Sequence, residues 1–201
     1  EATLTQDLPS WIQSHVHAFE FFNGVAEILV PDNLKTGVTH PCRYEPDINP
    51  TYADLAEHYG TVVIPTRIAK PKDKAKVESA VLIAERWILA ALRNHRFFSL
   101  AEVNQAITEK LKEFNRRKFQ KLNTTRQELF ENLDRPALKP LPEKPYQYAE
   151  WKKARVNIDY HIEVDGHYYS VPYQLVKESV EVRFTSTTVE VLFKNRRIAC
   201  H

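Results

Sequence analysis

The chain contains no methionine and begins with Glu1. It is therefore expected to be a fragment or a processed product with sequence missing upstream. Cysteine is nearly absent too: Cys42 and Cys200 are the only two, and nothing near either has metal-ligand spacing. Free thiols in a reducing compartment account for them, and a disulfide has no support in the pattern. No apolar run approaches the roughly 20 residues that a membrane span requires. Residues 1–20 hold Asp7, Glu20 and two histidines instead of a basic start and a cleavage pattern, so a secretory leader is not expected there. A strong charge imbalance is also missing. The net charge is only +2, so bulk charge does not announce a nucleic-acid ligand.

What is present is a globular composition, 43% hydrophobic and 27% charged over 201 residues, enough for one large or two small domains. The basic residues are bunched. Residues 110–126 hold Lys110, Lys112, Arg116, Arg117, Lys118, Lys121 and Arg126 against Glu113 alone, and residues 67–76 hold Arg67, Lys70, Lys72, Lys74 and Lys76 against Asp73. Two such stretches suit a surface that tracks phosphates; a solvated helix face explains either one alone equally well.

The first half reads as mixed α/β. Asp7 and Pro9 open a helix with Trp11, Ile12, His15 or Val16, Phe19 and Phe22 on its inner face, and Asn23-Gly24 closes it. His15 and His17 lie two apart and cannot share a face as a ligand pair. Residues 26–30 and 61–65 read as short strands buried on both faces. Between them a turn-rich connector leads to a helix from Asn49-Pro50, whose polar residues Asp54, Glu57 and His58 are expected on a solvated face. Residues 67–92 then run from a lysine-rich turn, with Asp73 as a plausible N-cap, into a helix apolar nearly all round, expected to lie buried against a sheet. Ser99 or Leu100 opens a helix with Val103, Ile107, Leu111 and Phe114 inside, and Thr125 with Glu128 forms a capping box ahead of Leu129, Phe130 and Leu133.

Residues 135–148, with Pro136, Pro140, Pro142 and Pro145, read as a stiff, extended linker and a domain boundary. Beyond it the period changes to two. Residues 155–164 alternate strictly, Asp165-Gly166 signals a hairpin, and strands follow at 167–171, 180–184, 189–193 and 196–200. Five short strands predict a small barrel. One face would carry Tyr160, Tyr168, Tyr173, Arg183, Lys194, Arg196 and Arg197, a mixture that suits nucleic acid, although aromatics of a small barrel are more often core.

Two acidic residues stand at positions where chemistry is built. Asp32 follows the strand 26–30, and sites form at carboxyl ends of strands in open α/β sheets. Glu78 lies in the first turns of the helix after the second strand. On residue types alone a turn at Asp32 and an i,i−4 pairing of Glu78 with Lys74 explain both.

Three separated motifs, VPDNLK at 30–35, KPKDKAKVE at 70–78 and VDGHYYSVPY at 164–173, occur in one order. Together they resemble insertion-sequence transposases of the IstA type, and the resemblance runs over essentially the whole chain. It implies an α/β fold: a truncated ribonuclease-H-like (retroviral-integrase-like) catalytic core at 1–95, a helical extension at 96–134, a proline-rich linker at 135–150, and a small all-β barrel like the Mu transposase C-terminal domain at 151–201. It implies an Asp-Asp-Glu site in which Asp32 is the second Asp and Glu78 the Glu, both ligands of Mg²⁺ or Mn²⁺. The first Asp is expected before residue 1, so the chain alone is expected to be inactive. Lys35, Lys70, Lys72, Lys74, Lys76, Arg116, Arg117, Lys118 and Lys121 are the implied DNA contacts. The resemblance further implies transposon-end and target DNA, a homo-oligomer, an AAA+ ATPase helper, and a bacterial, cytoplasmic, nucleoid-associated setting. The chemistry suits the residues: hard cations take carboxylate oxygen, and two metals roughly 3.5–4 Å apart can activate a hydroxyl and stabilise a leaving phosphate oxygen. The alternative is a non-catalytic module that binds DNA ends and partner subunits.

Overall fold

The computed structural model describes residues 1–31, 38–40, 47–64 and 75–201, with the backbone alone for 38–40, 47 and 75–78. Helix α1 spans Leu8–Phe22. Asp7 caps it by accepting from the Ser10 amide, and Asn23 ends it in the left-handed conformation at φ 52°. Strand β1 (Ile28–Leu29), the short pair β2 (Val38–His40) and β3 (Asp47–Ile48), helix α2 (Pro50–Tyr59) and strand β4 (Val62–Val63) follow. Asn49 caps α2 and Gly60 closes it at φ 62°. The inner faces of α1 and α2 build one core from Ile12, Val16, Phe19, Val25, Tyr52, Leu55 and Tyr59, with Leu29 and Val63 packed against it.

Strands β1 and β4 pair in parallel, Ile28 opposite Val62 and Leu29 opposite Val63. They are not covered on both faces as their composition suggests. Leu29 and Val63 turn to the core, while Ile28, Val30, Val62 and Ile64 are exposed. Alternation forces this: a two-stranded sheet packed on one layer of helices leaves its other face open.

The helix after β4 departs from expectation in the same way. It runs as α3 (Ala75–Ala84), a π-helical turn (Glu85–Leu89) and α4 (Ala90–Leu92). Ile88 is buried, but Val81, Leu82, Trp87 and Leu89 stand exposed. Among the described residues its main neighbour is α5 (Leu100–Asn115), not a sheet. Ser99 caps α5, and the capping box of Thr125 and Glu128 starts the one-turn helix α6 (Arg126–Leu129), which continues as a π-helical turn, Phe130–Asp134.

The proline-rich stretch is strapped down at its ends. Val25 and Lys139 exchange backbone hydrogen bonds of 2.9 Å in both directions, and Gly24 lies against Leu138 so closely that an added Cβ would stand 2.7 Å from the Leu138 Cβ. Further on, Tyr146 and Ala149 are buried; the Tyr59 hydroxyl accepts from the Tyr146 amide, and the Thr51 hydroxyl donates to the Ala149 carbonyl.

The last third is all β, but it is not the closed barrel expected. Strands β5 (Glu150–Arg155), β8 (Ser179–Phe184), β9 (Val189–Phe193) and β10 (Arg196–Cys200) form one antiparallel sheet in the order β10-β9-β8-β5, and β6 (His161–Val164) with β7 (His167–Ser170) forms a separate hairpin. The alternating run 155–164 is not one strand. A turn closes where the Tyr160 amide donates to the Asn157 carbonyl, with Tyr160 at φ 64°, and it separates β5 from β6. That turn interrupts the ladder, so closure by hydrogen bonding fails. The sheet and the hairpin share a core of Val156, Ile162, Val164, Val171, Val180, Val182, Val189 and Val191. The hairpin turn itself is as predicted: Asp165 and Gly166 both take positive φ, 50° and 79°, between the paired Val164 and His167.

Candidate nucleic-acid interface

Asp32, Lys35, Lys70, Lys72 and Lys74 lie outside the described residues. Lys76 and Glu78 lie on α3, where the backbone alone is described. The elements around them are clear. Because β1 and β4 run parallel, both strands end on the same edge of the sheet. The chain leaves β1 toward position 32 from that edge, and it leaves β4 from the same edge on the way to α3. Among the described residues no three histidine, cysteine, aspartate or glutamate side chains cluster as a metal site.

The other four predicted contacts are brought together. Arg116, Arg117, Lys118 and Lys121 are all exposed at and just beyond the end of α5. The loop that carries them is closed by pairing of Lys118 with Thr125, and the Phe119 amide donates to the Thr124 carbonyl at 3.0 Å. Lys118 donates to the Asn123 side-chain oxygen at 3.0 Å.

Aromatic rings hold two of the guanidinium groups here. Arg117 lies 3.7 Å over the Trp87 ring. Arg126 lies 4.0 Å from the centre of Phe114 and 4.6 Å from that of Phe119. Stacking of this kind restrains a side chain that otherwise carries about 2 kcal/mol of rotamer entropy and leaves its N–H edge free for phosphate. Trp87, Phe114, Arg117, Lys118, Phe119, Lys121 and Arg126 line one cleft of about 450 Å³. Sequence reasoning counted Arg126 as basic but did not carry it to the site, and it placed Trp87 inside the protein. The missed signal was the coincidence of Phe114, Phe119 and Arg126 around one short loop.

The β-rich part holds a second mixed surface, with one correction. Tyr160, Tyr168 and Tyr173 are exposed, as are Lys194, Arg196 and Arg197. Arg183 is not on that face. Its Nε donates to Asp54 Oδ2 at 3.0 Å and its Nη1 to Glu190 Oε2 at 3.2 Å. Asp54 is correspondingly not on a solvated face, although Glu57 and His58 of the same helix are exposed. The Tyr146 hydroxyl donates to Asp54 at 2.7 Å, and burial with that carboxylate beside it pushes the Tyr146 phenol well above its usual range.

Comparison with known proteins adds the family. Residues 141–201 match the family model described as Mu transposase, C-terminal domain. Over 200 residues the chain is 50% identical to a protein of Burkholderia multivorans named as a transposase for insertion sequence IS408, covering all of this chain and 39% of that one. The chain is a homologue of the insertion-sequence transposases. It is also 27% identical over 195 residues to the transposase for insertion sequence element IS21 of Pseudomonas aeruginosa, covering 96% of this chain and 49% of that protein. It thus spans less than half the length of these transposases. In fold it resembles a chain of the simian T-cell lymphotropic virus intasome in complex with the PP2A regulatory subunit B56 gamma, with a TM-score of 0.50 and 14% identity over 98% of this chain and 66% of the other.

Proposed function

We propose that this chain is part of a DNA transposase that cuts and joins transposon ends, with Asp32 and Glu78 as two carboxylates of an Asp-Asp-Glu site. The observation that carries this reading is 50% identity over 200 residues to an insertion-sequence transposase. The parallel β1–β4 pair supports it, because its two strands end on one edge, where carboxylates following a strand and opening a helix can converge. The open face bearing Ile28, Val30, Val62 and Ile64 suits a ribonuclease-H-like core in which further structure covers that sheet.

Asp32 and Glu78 would hold Mg²⁺ or Mn²⁺, whose chemistry is to activate an attacking hydroxyl and stabilise the leaving oxygen. Carboxylate oxygen is the donor type that hard cations take. Lys35, Lys70, Lys72, Lys74 and Lys76 flank these positions in sequence and would hold the DNA backbone near the reaction. Arg116, Arg117, Lys118 and Lys121 would bind phosphates farther along the duplex. Such contacts set position and affinity but read no sequence. Residues 1–95, 96–134, 135–150 and 151–201 would serve as core, helical extension, linker and C-terminal unit. A homo-oligomer on paired DNA ends, an AAA+ ATPase helper and a bacterial cytoplasmic setting complete the proposal.

The test is strand transfer by a chain extended to the length of its relatives, in Mg²⁺ and in chelator. Asp32→Asn and Glu78→Gln should each abolish transfer while DNA binding in a mobility-shift assay persists. Unchanged transfer by either variant sinks the assignment of that residue. Binding without cleavage by the unaltered protein would favour the non-catalytic module instead.

A further inference from the structure

The end of α1 carries a feature that strand-transfer chemistry does not use. The rings of Phe21 and Phe22 lie 5.3 Å apart between centres, those of Phe22 and Phe130 lie 5.5 Å apart, and the Arg135 guanidinium stands 5.6 Å over Phe130. This row walls a cleft of about 370 Å³ between the ends of α1 and α5 and the α6 turn. That volume is within the range of small-ligand sites. Phe21 is 56% exposed and Phe22 41%, so the rings are open to a ligand.

The charges around the rings decide what fits. Lys112, Arg116, Arg126 and Arg135 line the cleft against one carboxylate, Glu131, and Arg135 already engages that carboxylate at 2.5 Å. Among the described residues Lys112, Arg116 and Arg126 have no acidic partner. Arg126 is fixed between Phe114 and Phe119. An apolar wall of rings set at 76° and 42° to one another, bordered by the unneutralised Lys112, Arg116 and Arg126, is complementary to a ligand whose apolar face can lie on one of those rings and whose other end is anionic. A nucleotide has that shape. Inside a duplex the base faces are covered by their neighbours, so away from the terminal pair only an unpaired base offers its face to a ring, and an unpaired base alone can swing out to reach one.

We propose that this cleft seats one unpaired nucleotide of a DNA strand, its base against the Phe21–Phe22–Phe130 row and its phosphate on Arg116 and Arg126. The proposal rests on the DNA-joining reading above and gives it a preference for frayed or single-stranded ends. Phosphate contacts alone would bind any duplex equally; the rings supply the discrimination.

The experiment measures binding of the 201-residue chain to fluorescent DNA by anisotropy across a salt series. One probe is a blunt duplex, the other the same duplex with a few unpaired terminal nucleotides. The unpaired end should bind about five- to a hundredfold tighter, the range that stacking of a base on aromatic side chains supplies. Phe21→Leu and Phe130→Leu should each remove most of that preference and leave blunt-duplex affinity unchanged. Phe21 is exposed, so its variant keeps the test valid if Phe130→Leu fails to fold. Arg116→Ala should weaken both probes and reduce the salt slope by about one. Equal affinity for the two probes, or a preference that survives both ring variants, overturns the proposal and leaves the DNA reading standing. Absence of binding to either probe overturns both. If the cleft instead seats a second copy of the chain, Phe21→Leu will abolish self-association without altering probe preference, which also overturns the proposal.

Discussion

Asp54 is where a helix of the first half is tied to the β-rich unit, and Asp54→Asn tests how firmly. One oxygen of this carboxylate accepts from both Arg183 Nε at 3.0 Å and the Tyr146 hydroxyl at 2.7 Å. Arg183 in turn reaches Glu190, and Glu190 accepts from Arg197 at 2.8 Å. The Asp54 and Arg183 side chains are only 18% and 22% exposed, so solvent screens them far less than a surface pair. Asparagine keeps the shape and one acceptor oxygen but removes the charge. Hydrogen bonds to a charged group contribute about 1.5–3 kcal/mol and neutral ones about 0.5–1.5. Two bonds that each drop by about 1 kcal/mol give a loss of about 2 kcal/mol. Asp54→Ala removes the acceptor itself and should cost about 3 kcal/mol, the low end for a broken buried pair, because Arg183 keeps Glu190.

The assay is urea unfolding followed by circular dichroism, with Asp54→Asn, Arg183→Gln and the double variant forming a cycle. A coupling of about 1–2 kcal/mol between the two positions is expected. In thermal melts a loss of about 2 kcal/mol lowers the midpoint by about 4–8 °C for a chain of this size. If Asp54→Asn changes stability by less than about 0.5 kcal/mol, it behaves as an ordinary surface substitution. The joint would then carry no weight, and α2 would be held to the last third of the chain through Thr51, Tyr59, Tyr146 and Ala149, just ahead of β5, instead.

Two further outcomes follow from close packing and from burial. Gly24→Ala places a methyl group 2.7 Å from Leu138 Cβ and 3.2 Å from the Lys139 carbonyl, so it should destabilise by about 1–3 kcal/mol; combined with Leu138→Gly, which removes that Cβ, it should cost less than the two single changes summed, and a neutral Gly24→Ala would refute the close approach. His15 is packed edge-on between Trp11 and Tyr52, and its Nδ1–H donates to the Trp11 carbonyl at 2.9 Å. Burial holds its pKa below the usual 6.5, while burial of the neighbouring Tyr52 pushes that phenol up to about 12. A depressed pKa makes the His15 contribution complete above pH 6.5 and lost progressively below it, as the unfolded chain takes up the proton first. Unfolding free energy should therefore fall from about pH 7 toward pH 5, and His15→Gln should flatten that slope; an unchanged slope would rule His15 out as its source.

Local punctuation was legible in the sequence. Asp7, Asn49 and Ser99 cap helices, Asn23 and Gly60 end them, Thr125 with Glu128 forms the capping box, and Asp165-Gly166 turns the hairpin. These signals act within four residues, and their geometry depends on little else. Long-range partners were not legible. The alternation of 155–164 gave no hint that Asn157 and Tyr160 close a turn, because Val156, Ile162 and Val164 keep inward places in either case. Asp54 looked like a solvated acid because its partners, Tyr146 and Arg183, stand 92 and 129 positions away. The basic loop of Arg116, Arg117, Lys118 and Lys121 was visible as a run of like charge. The ring over Arg117 was not, since Trp87 comes from another helix, whereas Phe114 and Phe119 lie beside Arg126 in the same short stretch.

The apolar stretches show why composition alone misleads about burial. Periodicity identifies side chains whose exposure is costly, but it does not say what covers them. Leu29 and Val63 reach the α1–α2 core, while Ile28 and Val62, directly paired in the same two strands, face outward. Burying a side chain of this kind is worth about 1.5–3 kcal/mol. The open sheet face and the outward side of the helix through Trp87 are therefore strongly predisposed to be covered. That predisposition is independent of the ion-paired joint at Asp54, which involves the opposite, helix-bearing side of the sheet. Neutralising Asp54 loosens the β-rich unit from α2 and leaves the exposed strands as they are.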